Sequence, residues 1–150
     1  MRVALDTNVL AYAEGVNGPS MKTLALELVA GLPQGSIVLP VQGLGELFQV
    51  LVRKAGRSRA SARSAILSWR DAFSLFETSA ATMLAAADIA FTHQLGIWDA
   101  VILSAAAEAD CTLLLSEDMQ DGFIWQGVTI ANPFARSKHP LLKALLSENP

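Results

Sequence analysis

Four acidic residues are the main candidates for chemistry in this chain of 150 residues: Asp6, Glu46, Asp99 and Asp118. Other catalytic patterns are missing, since the two histidines lack zinc-site spacing and neither Gly-x-Ser-x-Gly nor Gly-x-x-x-x-Gly-Lys occurs. Carboxylates that crowd together repel one another and take up protons unless a cation lies between them. Because ligands made only of oxygen select hard ions, we expect Mg²⁺ or Mn²⁺ at such a cluster.

The elements that must position these acids alternate along the chain. Short apolar runs predict strands at 2–5, 37–39, 75–76, 112–115 and 128–130. Between them, helical spacing predicts helices from residue 9, at 21–30, from residue 40, and at 58–73, 81–94, 98–109 and 141–146, with 15–19 as a loop. Strands that alternate with helices predict an α/β fold with a mainly parallel, helix-covered sheet.

Parallel sheets gather functional groups beyond the carboxyl ends of their strands. Asp6 and Asp118 follow predicted strands, so both lie on the same rim if those strands are parallel neighbours, and Glu46 lies on the first turns of the helix after 37–39. A helix that leads into a parallel strand is expected to return from the opposite edge. The strand pattern therefore leaves the position of Asp99 open.

Each acid also has an ordinary structural interpretation. Asp6 could form a turn, with Thr7 or Asn8 capping the next helix, and Asp99 could be a first-turn acid that the helix dipole favours. Asp118 could be a loop acid. Glu46 is harder to explain in this way, because a carboxylate buried without a partner in its apolar segment would cost several kcal/mol.

Composition limits the class of protein. Hydrophobic residues make up 52% of the chain and charged residues 17%, which predicts a sizeable core and some apolar surface covered by an oligomer or a partner. An acid at position 6 argues against a signal peptide, and no apolar run is long enough to span a bilayer. The single cysteine, Cys111, predicts a buried structural thiol and fits a reducing cytoplasm.

A basic stripe offsets the net charge of −3, since six of the eleven basic residues lie in one short stretch. The stripe could attract phosphate, or it could be a solvated helical face. Its members are Arg53, Lys54, Arg57, Arg59, Arg63 and Arg70.

Several segments together resemble the PIN-domain nucleases. Val-Ala-Leu-Asp-Thr-Asn-Val-Leu at 3–10 is similar to their opening, residues 40–47 are similar to the helix that carries their glutamate, and Gly-Ile-Trp-Asp-Ala-Val-Ile at 96–102 is similar to their third motif. Residues 114–122 and 132–134 resemble the C-terminal motifs of the bacterial VapC-type toxins. The resemblance covers nearly the whole chain in the right order.

This resemblance implies a three-layer α/β/α sandwich with a mainly parallel sheet of about five strands. It implies a metal-dependent ribonuclease in which Asp6 and Asp99 are central ligands of Mg²⁺ or Mn²⁺ and in which Glu46 and Asp118 complete the cluster. Asp121 is a less favoured substitute for Asp118, and residues 132–134 have a structural role. The groups that orient the carboxylates would be Thr7, Asn8 and Ser116.

The same resemblance implies single-stranded or looped RNA as substrate, cut to leave a 5′-phosphate and a 3′-hydroxyl. Flanking phosphates would contact the basic stripe, whereas Trp98 is expected to pack in the core or an interface rather than stack a base. A homodimer and an antitoxin protein are the implied partners. Residues 1–150 would form a single domain with a C-terminal extension at 135–150.

Two alternatives remain open. A haloacid-dehalogenase-like phosphatase also has an aspartate after strand one, but its Asp-x-Asp pattern would have an acid where this chain has Asn8. A non-catalytic PIN-like module that binds RNA or protein is the second alternative. It is disfavoured because all four acids are present.

Overall fold

A twisted sheet with helices on both faces forms the body of this computed structural model, which describes residues 1–148. In chain order its strands are β1 Val3–Leu5, β2 Ile37–Pro40, β3 Ser74–Phe76, β4 Leu113–Leu115, β5 Ile124–Trp125 and β6 Val128–Ala131. Its helices are α1 Thr7–Ala13, α2 Pro19–Gly31, α3 Val41–Arg53, α4 Arg59–Ala72, α5 Ala80–His93, α6 Ile97–Glu108 and α7 Pro140–Ser147.

The strand order is β3-β2-β1-β4-β6-β5, and every neighbouring pair is parallel except β5 with β6. This confirms the predicted α/β sandwich with a mainly parallel sheet. The sequence did not predict β5, because two residues are too few to show an alternating pattern. Gln126 and Gly127, both with positive φ, form the tight turn that folds β5 back onto β6.

Each strand divides its side chains between two cores. Val3 and Leu5 of β1 pack with α1 to α4 and α7, whereas Ala4, between them, packs with α5 and α6. This alternation follows from the two-residue period of a strand. All three residues are fully buried, so β1 is apolar on both faces, as a central parallel strand must be.

Each helix begins one or two residues away from its predicted start, and two of these differences have a clear cause. The helix expected from residue 21 begins at Pro19, because proline at the first position already has the φ angle of a helix and needs no backbone donor there. The helix expected from residue 58 begins one residue later, because the Ser58 hydroxyl accepts from the Ser61 amide at 3.1 Å and caps it.

Burial matches the predicted role of the lone cysteine. Cys111 is buried between α6 and β4, and burial raises the pKa of its thiol to about 11.

Other apolar side chains are open to solvent, notably Leu84 and Phe91 on the outer side of α5, which are 70% and 89% exposed. No helix within residues 1–148 is long and apolar enough to cross a membrane.

Candidate active site

Asp6 lies at the centre of the candidate site, directly after β1 at the carboxyl edge of the sheet. Its side chain is 5% exposed, and its backbone amide donates to the Leu115 carbonyl at 2.9 Å. Asp6 itself caps α1, because its Oδ1 accepts from the Thr7 amide at 2.7 Å. The expectation that Thr7 or Asn8 caps this helix was therefore wrong, since the helix begins two residues earlier than the apolar pattern suggested.

Ser116 joins the end of β4 to the end of β1. Its hydroxyl donates to Asp6 Oδ2 at 2.7 Å, and the residue is fully buried. The two strands are parallel neighbours with Leu5 opposite Leu115, so the residue after each strand reaches the same point on the rim. Both oxygens of Asp6 thus accept a hydrogen bond from the protein, and the carboxylate has one fixed orientation.

Glu46 reaches the same rim from the second turn of α3. Its Oε2 accepts from the Thr7 hydroxyl at 2.9 Å, and its Oε1 accepts from the amide nitrogen of Gln42. Sequence reasoning missed Gln42, although a glutamine four residues before a glutamate on one helix face is a recognisable signal. The half-buried Glu46 is therefore a partnered carboxylate.

Asp99 also reaches this rim, because α6 begins at the carboxyl edge of the sheet and ends beside the amino end of β4. The expectation that this helix returns from the opposite edge was wrong: a helix antiparallel to the strand that it precedes has its first turn at the carboxyl edge. Asp99 is in that first turn and is half-buried. The residue before Asp99 is Trp98, and its backbone carbonyl oxygen lies 3.5 Å from the side-chain amide nitrogen of Gln42.

Asp118 completes the group from the loop after β4. Its Oδ2 accepts from the Asn8 side-chain amide at 3.1 Å, and Asn8 Oδ1 accepts from the Glu117 amide at 3.4 Å. Glu117, which sequence reasoning did not single out, accepts from the Tyr12 hydroxyl at 2.5 Å. Asp121 turns away, because its carboxylate accepts from the Asn132 amide at 2.9 Å and holds the loop against the end of β6.

The four predicted acids act on one another electrostatically. The pKa of Asp6 is raised to about 6, mainly by burial. The hydrogen bonds from Ser116 and Thr7 oppose this rise, and the charges of Asp99 and Glu46 add to it. Burial also raises the pKa of Asp99, and the charges of Asp118 and Glu46 add to that rise. A cation among these carboxylates would stabilise their ionised forms.

The donor set fits a hard divalent cation by its chemistry, since the four acids offer only carboxylate oxygens. Within residues 1–148, however, no three His, Cys, Asp or Glu side chains are already arranged as a cage for a metal ion. Hydrogen bonds to Thr7, Gln42 and Asn8 hold Glu46 and Asp118 in their present orientations. A bound ion would therefore require these outer carboxylates to change orientation, whereas Asp6 is already held by Thr7 and Ser116.

The basic stripe divides into two groups. Arg57 is held in place, because its guanidinium contacts Glu14 Oε1 at 2.9 Å and the Glu14 carbonyl at 2.5 Å. Trp69 donates to the other oxygen of the same glutamate at 3.0 Å. Arg70 pairs with Asp71 at the surface. The remaining basic residues, all exposed, are Arg53, Lys54, Arg59 and Arg63.

Trp98 does not pack in the core, one of the two places that the sequence suggested, because 59% of its surface is exposed; packing in an interface stays a prediction. Its position one residue before Asp99 places it beside the acids rather than beneath them. Residues 132–134 are structural as expected: Asn132 accepts from the Phe134 amide at 2.9 Å, and the Phe134 ring packs edge-on to Tyr12 at 5.4 Å. β6 ends at Ala131, two residues before Pro133.

The sequence matches the family model described as "PIN domain" over residues 3–120, a span that contains all four acids. The chain is a member of the PIN-domain family. Membership removes the phosphatase alternative. Among curated proteins, none matches the chain significantly in sequence.

Solved structures share the fold of this PIN domain. VapC20 of Mycobacterium tuberculosis, described as a toxin that cleaves the sarcin–ricin loop, has a TM-score of 0.64 at 16% identity, covering 75% of this chain and 86% of that one. A toxin–antitoxin complex from Klebsiella pneumoniae has a TM-score of 0.65 at 19% identity, covering 88% of this chain and 98% of that one. FitAcB from Neisseria gonorrhoeae has a TM-score of 0.61 at 16% identity, covering 88% of this chain and 98% of that one. At these identities the likeness shows the fold alone.

Proposed function

We propose that this PIN domain is an endoribonuclease that hydrolyses RNA phosphodiester bonds with Mg²⁺ or Mn²⁺ and that it is the toxin of a toxin–antitoxin pair. One observation carries the proposal: the buried Asp6 is held by Ser116 and Thr7 at a point where the charges of Asp99 and Glu46 reach it. Keeping a carboxylate buried among other acids costs stability, and a bound cation offsets that cost.

Asp6 and Asp99 would hold the ion, with Glu46 and Asp118 completing the cluster directly or through water. A bound divalent ion supplies a water of lowered pKa and neutralises charge on the phosphate and the leaving oxygen. The protein's own contribution is orientation. Ser116 and Thr7 fix Asp6, Thr7 also holds Glu46, and Asn8 holds Asp118.

The exposed basic residues would contact the phosphates of the RNA. Arg53 and Lys54 lie at the end of the helix that carries Glu46, and Arg59 and Arg63 lie on the adjacent α4. Each phosphate that they neutralise would add to the salt dependence of binding. Arg57, which the sequence grouped with them, is bound to Glu14 and would contribute less.

An antitoxin and a second copy of the chain would be its protein partners. The antitoxin is supported by the neighbours of similar fold, among which are toxin–antitoxin complexes. The exposed Leu84 and Phe91 on α5 give an apolar surface that a second copy would cover. The single cysteine is consistent with a protein that works in the reducing cytoplasm.

The test compares wild type with Asp6→Asn on a pool of structured RNAs, with Mg²⁺, with Mn²⁺ and with EDTA. Asp88→Asn, which removes an exposed acid on α5, is the matched control for loss of one charge. We expect cleavage by wild type and Asp88→Asn only when metal is present, and no cleavage by a folded Asp6→Asn. The proteins must be free of any bound antitoxin.

The alternative is a non-catalytic PIN-like module that binds RNA or protein. If free wild type cuts no RNA with either metal, the enzyme proposal fails and this alternative replaces it. Cleavage that survives in Asp6→Asn would instead show that the activity lies outside the acid cluster or comes from a contaminant.

A further inference from the structure

A cavity of about 620 Å³ lies beside the acids, on the exposed side of α3. Its lining combines a flat aromatic ring with polar side chains: Gln42, Gly45, Glu46, Gln49 and Trp98. Glu46 belongs both to this cavity and to the acid cluster, and Trp98 directly precedes Asp99. Whatever occupies the cavity therefore lies next to the carboxylates.

Gly45 keeps this cavity open, although no neighbouring atom requires a glycine at this position. It is exposed in the first half of α3, where glycine destabilises a helix by about 1 kcal/mol relative to alanine. A Cβ at position 45 would have no atom within 4 Å, whereas one at Gly43 would lie 3.2 Å from Pro40. Close packing thus accounts for Gly43, but the space at Gly45 is left empty and faces Trp98.

The cavity continues along α3 toward positive charge. One adjoining cavity of about 320 Å³ shares Glu46 and Gln49 and ends at Arg53 and Lys54. A second, of about 250 Å³, joins Gly45 to Arg59. Arg53 lies seven positions after Glu46 on the same helix, which is a rise of about 10 Å at 1.5 Å per residue. A stacked strand of about three nucleotides spans that distance at 3.4 Å per nucleotide.

We propose that Trp98 and Gly45 form a stacking subsite for one unpaired base of a nucleic-acid strand, whose neighbouring phosphates follow α3 to Arg53, Lys54 and Arg59. The inference rests on the proposed function, because it takes the acids as the place where the strand is cut. A ring that is 59% exposed beside an open groove has a free π face, and any base can stack on such a face. A base inside a duplex is not available for this contact, so the subsite selects loops or single strands.

The test measures binding of a fluorescent, unstructured oligoribonucleotide of about eight nucleotides to the Asp6→Asn protein, with Mg²⁺ present. Adding Trp98→Ala is expected to weaken binding by a factor of about 5 to 160, the range for loss of one base stack. Trp98→Phe should restore most of the affinity because it keeps an aromatic face. Leu26→Ala removes an exposed apolar side chain from α2, away from the acids, and should leave the affinity unchanged.

A second variant tests the space rather than the ring. Gly45→Met fills the cavity with a residue that favours helix, so it should weaken binding while the protein unfolds at the same or a higher temperature. Gly43→Ala is not a suitable control, since its Cβ would crowd Pro40. Gly35→Ala is also unsuitable because of its positive φ. Ala60→Met, at an exposed position of α4, adds the same side chain outside the lining of this cavity and is the control.

Three results would overturn the subsite: affinity unchanged in Trp98→Ala, affinity unchanged in Gly45→Met, or no oligonucleotide binding by the Asp6→Asn protein. If Trp98→Ala alters the mass of the protein in sedimentation but leaves oligonucleotide affinity unchanged, Trp98 belongs to a protein interface instead. Failure of the nuclease proposal is separate. Stacking-dependent binding without cleavage by wild type would refute the nuclease and leave the subsite in place.

Discussion

The Ser116 hydroxyl donates to Asp6 Oδ2 at 2.7 Å although 110 positions separate the two residues in the chain. The bond exists because β1 and β4 are parallel neighbours whose last residues, Leu5 and Leu115, lie opposite each other. Ser116 is fully buried, and Asp6 is 5% exposed. Asp6 is consequently positioned by the register of the sheet rather than by a flexible loop.

Ser116→Ala tests what this bond does for the candidate site. The hydroxyl stabilises ionised Asp6, so its loss should raise the pKa of Asp6 further above about 6. If ionised Asp6 is required for cleavage, the acidic limb of the pH–rate profile should move to higher pH. Ser36→Ala removes a buried hydroxyl that bonds to the Pro33 carbonyl at the other end of the sheet, and its profile should not move. An identical profile in Ser116→Ala would show that Asp6 does not set the acidic limb.

The stability of the metal-free protein should depend on the charge of Asp6. Its pKa is about 6 in the fold and 3.8 ordinarily, so between these values the folded state binds more protons than the unfolded state. The free energy of unfolding therefore falls as pH rises from 3.8 to 6, by about 3 kcal/mol in total, and stays lowered above that window. Asp6→Asn lacks this penalty and retains a side-chain oxygen that can cap α1.

We accordingly expect Asp6→Asn in EDTA to be more stable than wild type at pH 7, with the difference shrinking toward pH 4. Urea unfolding at a series of pH values measures it. A variant that is less stable than wild type at every pH would show that the hydrogen bonds of the carboxylate outweigh the cost of its burial.

The sequence was sufficient to predict the parallel sheet and the rim positions of Asp6, Glu46 and Asp118, because each follows from a strand or from the helix after it. The same geometric reasoning left the position of Asp99 open, since it assigned the wrong starting edge to α6. The bond between Ser116 and Asp6 depends on register, which fixes which residues of two strands are opposite. Sequence periodicity carries no such information across 110 positions.

The sequence also did not show how exposed single surface residues are or which partners they have. Trp98 lies beside a helix start, so packing in the core or an interface was expected, yet 59% of its surface is exposed and it lies outside the core. Arg57 was grouped with its basic neighbours because charge alone does not reveal a partner. Its partner Glu14 ends α1, 43 positions earlier in the chain. Such pairs arise only when α1, α3 and α4 pack together.

Arg57 and its neighbours should separate into a stability residue and binding residues. Arg57→Ala leaves half-buried Glu14 without its charged partner and should destabilise the fold by about 1 to 3 kcal/mol. Arg53→Ala and Lys54→Ala should leave the unfolding temperature unchanged while weakening RNA binding and reducing its salt slope by about one each. Thermal unfolding and binding at several salt concentrations distinguish the two effects. If Arg57→Ala reduces the salt slope but not stability, its contact with Glu14 is of little importance.

Cys111 should be unreactive in the folded protein. Burial raises the pKa of its thiol to about 11, and the thiolate is the form that reacts. At pH 8 we expect Ellman's reagent to modify Cys111 at the rate of global unfolding, and at once in denaturant. Modification of folded protein within seconds would mean that α6 and β4 separate locally. Cys111→Ala is expected to cost roughly 1 kcal/mol, as a small cavity does.

Added Mg²⁺ or Mn²⁺ should stabilise the fold through the acid cluster. A ligand at 100 times its dissociation constant stabilises the folded state by about 2.7 kcal/mol, which corresponds to a rise in unfolding temperature of roughly 5 to 10 °C for a chain of this size. The rise should be larger at pH 7 than at pH 5, because protons compete for Asp6 and Asp99, whose pKa values are raised. Asp6→Asn should lose most of this rise in unfolding temperature, whereas Asp88→Asn should keep all of it. An equal rise in Asp6→Asn would locate the ion elsewhere and remove the main support for metal-dependent cleavage.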